Sequence, residues 1–203
     1  MIKICILDYG SGNIGSLYNL LKFLNYSCVV SNSSEDIKNS THIILPGVGA
    51  FGSAMEKISQ TIPLKILERE VLTNNKPFLG ICVGMQVLAD KSEEFGDFKG
   101  LGWVSGEVQK IDSKILPHIG WNEVKIKKSN ILFKSFNEDK DFYFVNSFHL
   151  NVKDKSFIVA ETEYGHNFCS VLNKGNIFGT QFHPEKSQKA GQNLLKNFLS
   201  FSC

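Results

Sequence analysis

The chain has 203 residues, 42% of them hydrophobic and 21% charged, with a formal net charge of +2. That length can bury a real core within one α/β domain, so residues 1–203 are expected to form a single domain. So small a net charge provides no field to recruit nucleic acid or an anionic membrane, which leaves small molecules and other proteins as partners.

Ile2 to Leu7 is a short apolar, β-branched run and the first predicted strand. It is too short for a signal peptide and runs into Asp8 and glycines, and no later stretch reaches the roughly 20 apolar residues of a membrane span. The five cysteines, Cys5, Cys28, Cys82, Cys169 and Cys203, are odd in number and include no C-x-x-C pair, which points away from a zinc or redox site and toward a reducing compartment. A cytoplasmic location is the expectation.

Ile14 to Asn25 follows, with Leu17, Leu20, Leu21 and Leu24 at helical spacing, then a strand at Cys28 to Val30. His42 to Leu45 is the third strand, stopped by Pro46-Gly47. Leu64 to Leu72 has a helical pattern, and Pro77 to Ile81 is a short buried strand leading straight into Cys82. Such alternation is the signature of βαβ units and a mostly parallel sheet covered on both faces. Beyond about Gly100 the texture changes to strands and turns, at Glu107 to Ile111, Phe142 to Phe148, Phe157 to Ala160 and Ile177 to Gln181, which suit antiparallel additions to the sheet. The chain closes with a helix carrying Leu194, Leu195, Phe198 and Leu199 on one face. No internal repeat, low-complexity tract or linker suggests a second domain.

Gly80-Ile81-Cys82-Val83-Gly84 has the form G-x-C-x-G between an apolar strand and a helix that includes Met85, Leu88 and Ala89. A nucleophile on such a sharp strand-to-helix turn needs small neighbours, because the backbone there is strained and crowded. The helix start also favours a thiolate and can donate N–H groups to an oxyanion. Cys82 is the candidate nucleophile; taken alone it is also compatible with a small buried hydrophobe.

A cysteine nucleophile needs a base, and the base needs a third group to fix its orientation. Gln181-Phe182-His183-Pro184-Glu185 offers both at the end of the last strand. Pro184 disfavours helical geometry at His183, so an extended segment is expected, with His183 and Glu185 projecting to the same side. Of the other histidines, His42 lies within the third strand and His166 in an apparent turn, while His118 and His149 stay open on spacing alone.

Cys82 in its elbow, with His183-Pro184-Glu185 far downstream, resembles the class I, triad-type glutamine amidotransferases over nearly the whole chain. Within them it is most similar to the glutaminase subunits of imidazole glycerol phosphate synthases. Asp8 to Asn13, Leu45 to Gly52, Gly80 to Gln86, Pro117 to Asn122 and Gln181 to Ser187 carry that closer match. The resemblance implies a flavodoxin-like fold and a thioester mechanism with Cys82, His183 and Glu185 as catalytic triad. It implies oxyanion and glutamine-binding roles for Gly47, Val48, Gly49, Val83, Gln86, Asn146, Ser147 and Phe148, with a glycine-rich segment whose peptide can reorient. It implies a partner face of Asn13, Trp121, Tyr143 and Lys186 against a (βα)₈ cyclase subunit in a heterodimer, and neither metal nor cofactor.

The family more often has a histidine and a tyrosine at the positions of Asn146 and Phe148, so a paralogous ammonia donor for a surface-sugar amidotransferase stays open beside the histidine-pathway reading. Gly10-Ser11-Gly12-Asn13-Ile14-Gly15 also matches G-x-G-x-x-G after a strand, the mark of a dinucleotide-binding oxidoreductase. Against that, no acidic residue ends the second strand, and Glu35 begins a helix instead. An inactive binding subunit is opposed by the presence of all three proposed catalytic groups.

Overall fold

A computed structural model describes residues 2–136 and 140–202; Cys203 lies outside the described residues. The elements run β1 (Lys3–Leu7), α1 (Ile14–Phe23), β2 (Ser27–Ser31), α2 (Ser34–Asn39), β3 (His42–Gly47), α3 (Phe51–Thr61), α4 (Leu64–Glu68), β4 (Phe78–Cys82) and α5 (Val83–Gln86). The second half adds β5 (Lys91–Ser92), β6 (Phe98–Lys99), β7 (Gly106–Lys110), β8 (His118–Glu123), β9 (Lys125–Ile126), β10 (Asp141–Asn146), β11 (Phe148–Val152), β12 (Ile158–Tyr164), β13 (His166–Lys174), β14 (Ile177–Thr180) and α6 (Gln188–Leu199).

Among the described residues the main sheet has eight strands in the order β2-β1-β3-β4-β14-β13-β12-β9. The β2-β1-β3-β4-β14 part is parallel, and β13, β12 and β9 extend it antiparallel, as the change of texture after Gly100 predicts. Every residue of β3, β4 and β14 is buried. Strands covered on both faces carry no polar alternation, which is why they read as continuous apolar runs. α1 buries Leu17 and Leu21, and α6 buries Leu194, Leu195, Phe198 and Leu199. A four-stranded sheet, β11-β7-β5-β6, and a β10-β8 pair stand beside the main sheet. No helix among the described residues is long and apolar enough to cross a membrane.

Several boundaries differ from the sequence expectation. α1 stops at Phe23, because Asn25 takes a left-handed turn at φ 63°. The Leu64 to Leu72 pattern is helical but widens into a π turn over Arg69–Thr73. The apolar run Phe142 to Phe148 is two strands: β10 pairs with β8 and β11 with β7, parting at Ser147. His166 opens β13, and the turn before it is made by Gly165 at φ 76°. α5 ends at Gln86, so Leu88 and Ala89 are buried in a loop instead of on a helix face.

Candidate active site

β3 and β4 run side by side with Gly47 opposite Cys82 in register, so both end at one edge of the parallel sheet. The chain then turns sharply: Cys82 has φ 55° and ψ −112°, a left-handed conformation that costs a non-glycine residue strain and is held only where its surroundings over-determine it. Its neighbours show why they are glycines. A Cβ on Gly84 would stand 1.9 Å from the Leu45 carbonyl oxygen, and one on Gly80 would stand 2.3 Å from the Gly84 carbonyl oxygen. The elbow therefore closes only around two residues without side chains. Because α5 has four residues, its macrodipole is short, and the free N–H groups of the turn are what it offers to an anion.

Cys82 is 3% exposed. Its sulfur faces the Val145 carbonyl at 3.9 Å and accepts from Gln181 Nε2 at 3.7 Å, and the His183 imidazole lines the same cavity, near enough for the sulfur to raise its basicity. On the far side of that ring, His183 Nδ1 lies 2.9 Å from Glu185 Oε1, and the Glu185 side chain is 1% exposed. Asn13 Nδ2 donates to the same oxygen at 3.3 Å. The carboxylate reaches the ring differently from the sequence expectation. His183 is extended, but Pro184–Lys186 curls into a 3₁₀ turn, and it is the curl that brings Glu185 back. The turn is fastened by the His183 amide donating to the Tyr143 carbonyl at 2.9 Å and by Ser187 Oγ donating to the His183 carbonyl at 2.6 Å.

Burial by itself lowers the basicity of His183. The hydrogen bonds to Cys82 and Glu185 and their charges outweigh it and push the imidazole up to about 10. A ring flanked by sulfur and carboxylate is thus favoured as a cation at neutral pH. By contrast, burial pushes the Cys5 and Cys169 thiols up to about 12, which leaves them inert. The described cysteines are free thiols.

A cavity of about 140 Å³ opens over the sulfur, lined by Val48, Gly49, Cys82, Val83, Gln86, Glu94, Val145, Asn146, Ser147, Phe148, His183 and Lys186. That is well below the roughly 300–1,000 Å³ of pockets for larger ligands. It suits an amino-acid side chain, and the Gly10 to Gly15 segment meets this site through Asn13, which is bonded to Glu185. Gly47 lies just behind the wall, where a Cβ would stand 2.7 Å from the Gly84 nitrogen. Gln86 is buried and donates to the Phe148 carbonyl at 2.9 Å and to Gln181 Oε1 at 3.1 Å. Asn146 Nδ2 donates to that same Phe148 carbonyl at 3.0 Å, so the two unusual residues of this segment brace one another.

The remaining sequence candidates form the rim. Trp121 and Tyr143 are paired across β8 and β10, with ring centroids 6.0 Å apart, and Lys186 Nζ stands 5.7 Å above the Tyr143 ring. Asn13 is committed to Glu185 and is only part-exposed. Sequence spacing missed Gln181 and Glu94. Glu94 lines the cavity while Oε2 accepts from the Phe51 amide at 2.8 Å at the start of α3, and burial raises its pKa. Neither has a local signal, since their partners lie 99 and 43 residues away.

Residues 5–201 match the family model for glutamine amidotransferase class-I. The imidazole glycerol phosphate synthase subunit HisH of Methanocaldococcus jannaschii is 47% identical over 195 residues, covering 96% of this chain and 97% of that protein. The subunit of the same name from Leptospira interrogans is 42% identical, over 96% of this chain and 98% of that protein. Among solved structures, a glutamine amidotransferase superposes with a TM-score of 0.76 at 15% identity, covering 97% of this chain and 96% of the other. A chain of the Thermotoga maritima PurLQS structure gives 0.75 at 18%, covering 98% and 97%. At such identities these two structures speak for the fold, and the family match, nearly as long as the chain, speaks for descent. The chain belongs to the class-I glutamine amidotransferase family.

Proposed function

We propose that this chain is the glutaminase subunit of an imidazole glycerol phosphate synthase in histidine biosynthesis, with residues 1–203 as one glutaminase domain working in the cytoplasm. It hydrolyses glutamine to glutamate and ammonia and hands the ammonia to a (βα)₈ cyclase subunit that makes imidazole glycerol phosphate and AICAR. The single observation that carries the chemistry is the buried row of Cys82 sulfur, His183 imidazole and Glu185 carboxylate.

In that row, the Cys82 thiolate attacks the side-chain amide carbon of glutamine and the C–N bond breaks. His183 gives its proton to the leaving nitrogen, so ammonia departs and a thioester remains. His183 then takes a proton from water as its oxygen attacks the thioester, and glutamate leaves with the thiolate restored. Glu185 steadies the imidazolium throughout. Val83 and the Gly47–Gly49 segment supply backbone N–H groups to the developing oxyanion. Gln86, Asn146, Ser147 and Phe148 hold the substrate side chain. Among the described residues Glu94 is the one carboxylate in the cavity wall, and it suits the α-ammonium group of glutamine.

The partner docks over Asn13, Trp121, Tyr143 and Lys186. Ile119 is 60% exposed and Trp121 48% on the same β8 strand, a large apolar outlay for a surface with nothing on it. Lys186 and Val145 belong to both this face and the cavity wall, so ammonia released at the sulfur emerges where the cyclase sits. The test is glutamate release by the chain alone, with the cyclase, and with cyclase plus its nucleotide acceptor. Turnover is expected to be low alone and to rise with each addition; equal turnover in all three would contradict the coupling.

A further inference from the structure

Tyr9, just after β1, takes no part in the steps above. It is 1% exposed, and its hydroxyl has no hydrogen-bond partner among the described residues. The Ser11 hydroxyl donates to the Val48 carbonyl at 3.1 Å and keeps lone pairs free to accept; it is near enough to lower the phenol's pKa, but it is not in bonding geometry with the Tyr9 oxygen. Burial and the charge of the Cys82 sulfur hold the phenol protonated, so it is a donor with no acceptor. A buried donor in that condition has lost its hydration with nothing to offset the loss, and such groups call for a physical reason.

The reason stands beside it. A Cβ built on Gly47 would lie 2.7 Å from the Tyr9 oxygen, so the phenol fills the place a side chain would take at the head of the oxyanion segment. Val48 lines the cavity, whereas Tyr9 is outside it, behind Gly47. In a trans peptide the C=O and N–H point to opposite edges. A rotation that turns the Val48 N–H toward the cavity therefore sends the Gly47 carbonyl the other way, toward the waiting hydroxyl, and glycine makes that rotation inexpensive.

We propose that Tyr9 is a positioning residue for glutamine hydrolysis, its hydroxyl donating to the Gly47 carbonyl when the Gly47–Val48 peptide rotates to present the Val48 N–H to the oxyanion. This rests on the glutaminase reading above. The resting state leaves the hydroxyl unpaired, so the bond it can form belongs to the working state alone and raises kcat without tightening substrate.

The test is Tyr9→Phe in the full chain, assayed with the cyclase subunit and its nucleotide acceptor beside the wild type, together with thermal unfolding of both. The expected result is a fall in kcat of about tenfold, since the hydroxyl acts on an oxyanion donor at one remove, with KM for glutamine unchanged and Tm equal or higher. Tyr9→Leu, which also removes the ring, is expected to lower Tm as well, and so marks what a packing defect looks like. A Tyr9→Phe protein with wild-type kcat, or one whose lost activity goes with a lowered Tm or raised KM, would overturn the proposal. A wild type that releases no glutamate in the complex would overturn the glutaminase reading itself and this proposal with it, an outcome the wild-type arm separates from failure of the tyrosine alone.

Discussion

Two regions bury histidines and treat them in opposite ways. In the cleft, His183 is 3% exposed and its basicity is driven up to about 10. In the aromatic cluster under β8, His118 is also 3% exposed and is pushed down to about 4 by burial, with its ring stacked on Tyr164 at 4.0 Å and on Phe144 at 4.8 Å. His149, bonded Nε2 to Nε2 with His166 at 3.2 Å, is likewise pushed down to about 4, first by burial and then by that neighbour. Burial penalises the cation at every one of these sites. What differs is the company: a thiol and a carboxylate flank one ring, and aromatic faces, the uncharged Asn122 amide or another imidazole flank the others. The first ring can move a proton at neutral pH, and the others are packing.

Removing the anion that makes the difference should have the largest effect. Glu185→Gln keeps the shape but leaves the imidazole without its charge partner, and kcat for glutamate release is expected to fall by roughly 10³–10⁴, the scale seen when an orienting carboxylate is lost. Turnover within tenfold of wild type would mean that the two histidine environments do not differ for the reason given.

A pH series of thermal unfolding sharpens the contrast. His183 is raised above its usual 6.5, so the stability it lends is whole below pH 6.5 and is eroded as pH climbs to about 10. His118 and His149 are lowered, so the neutral forms fit without penalty above pH 6.5, and stability is lost as pH falls from 6.5 toward 4. The contributions of these histidines together therefore favour a maximum near pH 6.5. His118→Phe, which keeps the stacked ring, is expected to flatten the acid limb, to change stability at pH 7 by less than about 1.5 kcal/mol, and to leave turnover unaltered. An acid limb as steep as in the wild type would show that other groups govern it.

The same contrast explains what could be read from the sequence. The parallel core was legible, because β3 and β4 are buried on both faces and show as unbroken apolar runs, and the elbow was legible because Gly80 and Gly84 are required by contacts of 2.3 and 1.9 Å. The Cys82 and His183-Glu185 pieces were found by local pattern, although the 3₁₀ curl that joins the last two was not. α3 was missed, since it starts within a glycine-rich stretch that reads as loop. The break at Ser147 was hidden because Phe142 to Phe148 is apolar through the point where the chain leaves one sheet for another. Glu94, Gln181 and Tyr9 act through neighbours remote in the chain, and spacing carries no trace of such meetings.

The central claim is that the Cys82 sulfur, made reactive by His183 and Glu185, carries the glutamyl group. It is tested most directly by acid-quenching the complex during turnover of isotopically labelled glutamine and locating the label by peptide mass spectrometry. The account predicts label on the peptide containing Cys82, with neither label nor glutamate release in a folded Cys82→Ala protein. Label on another residue, or steady glutamate release from Cys82→Ala, would contradict it.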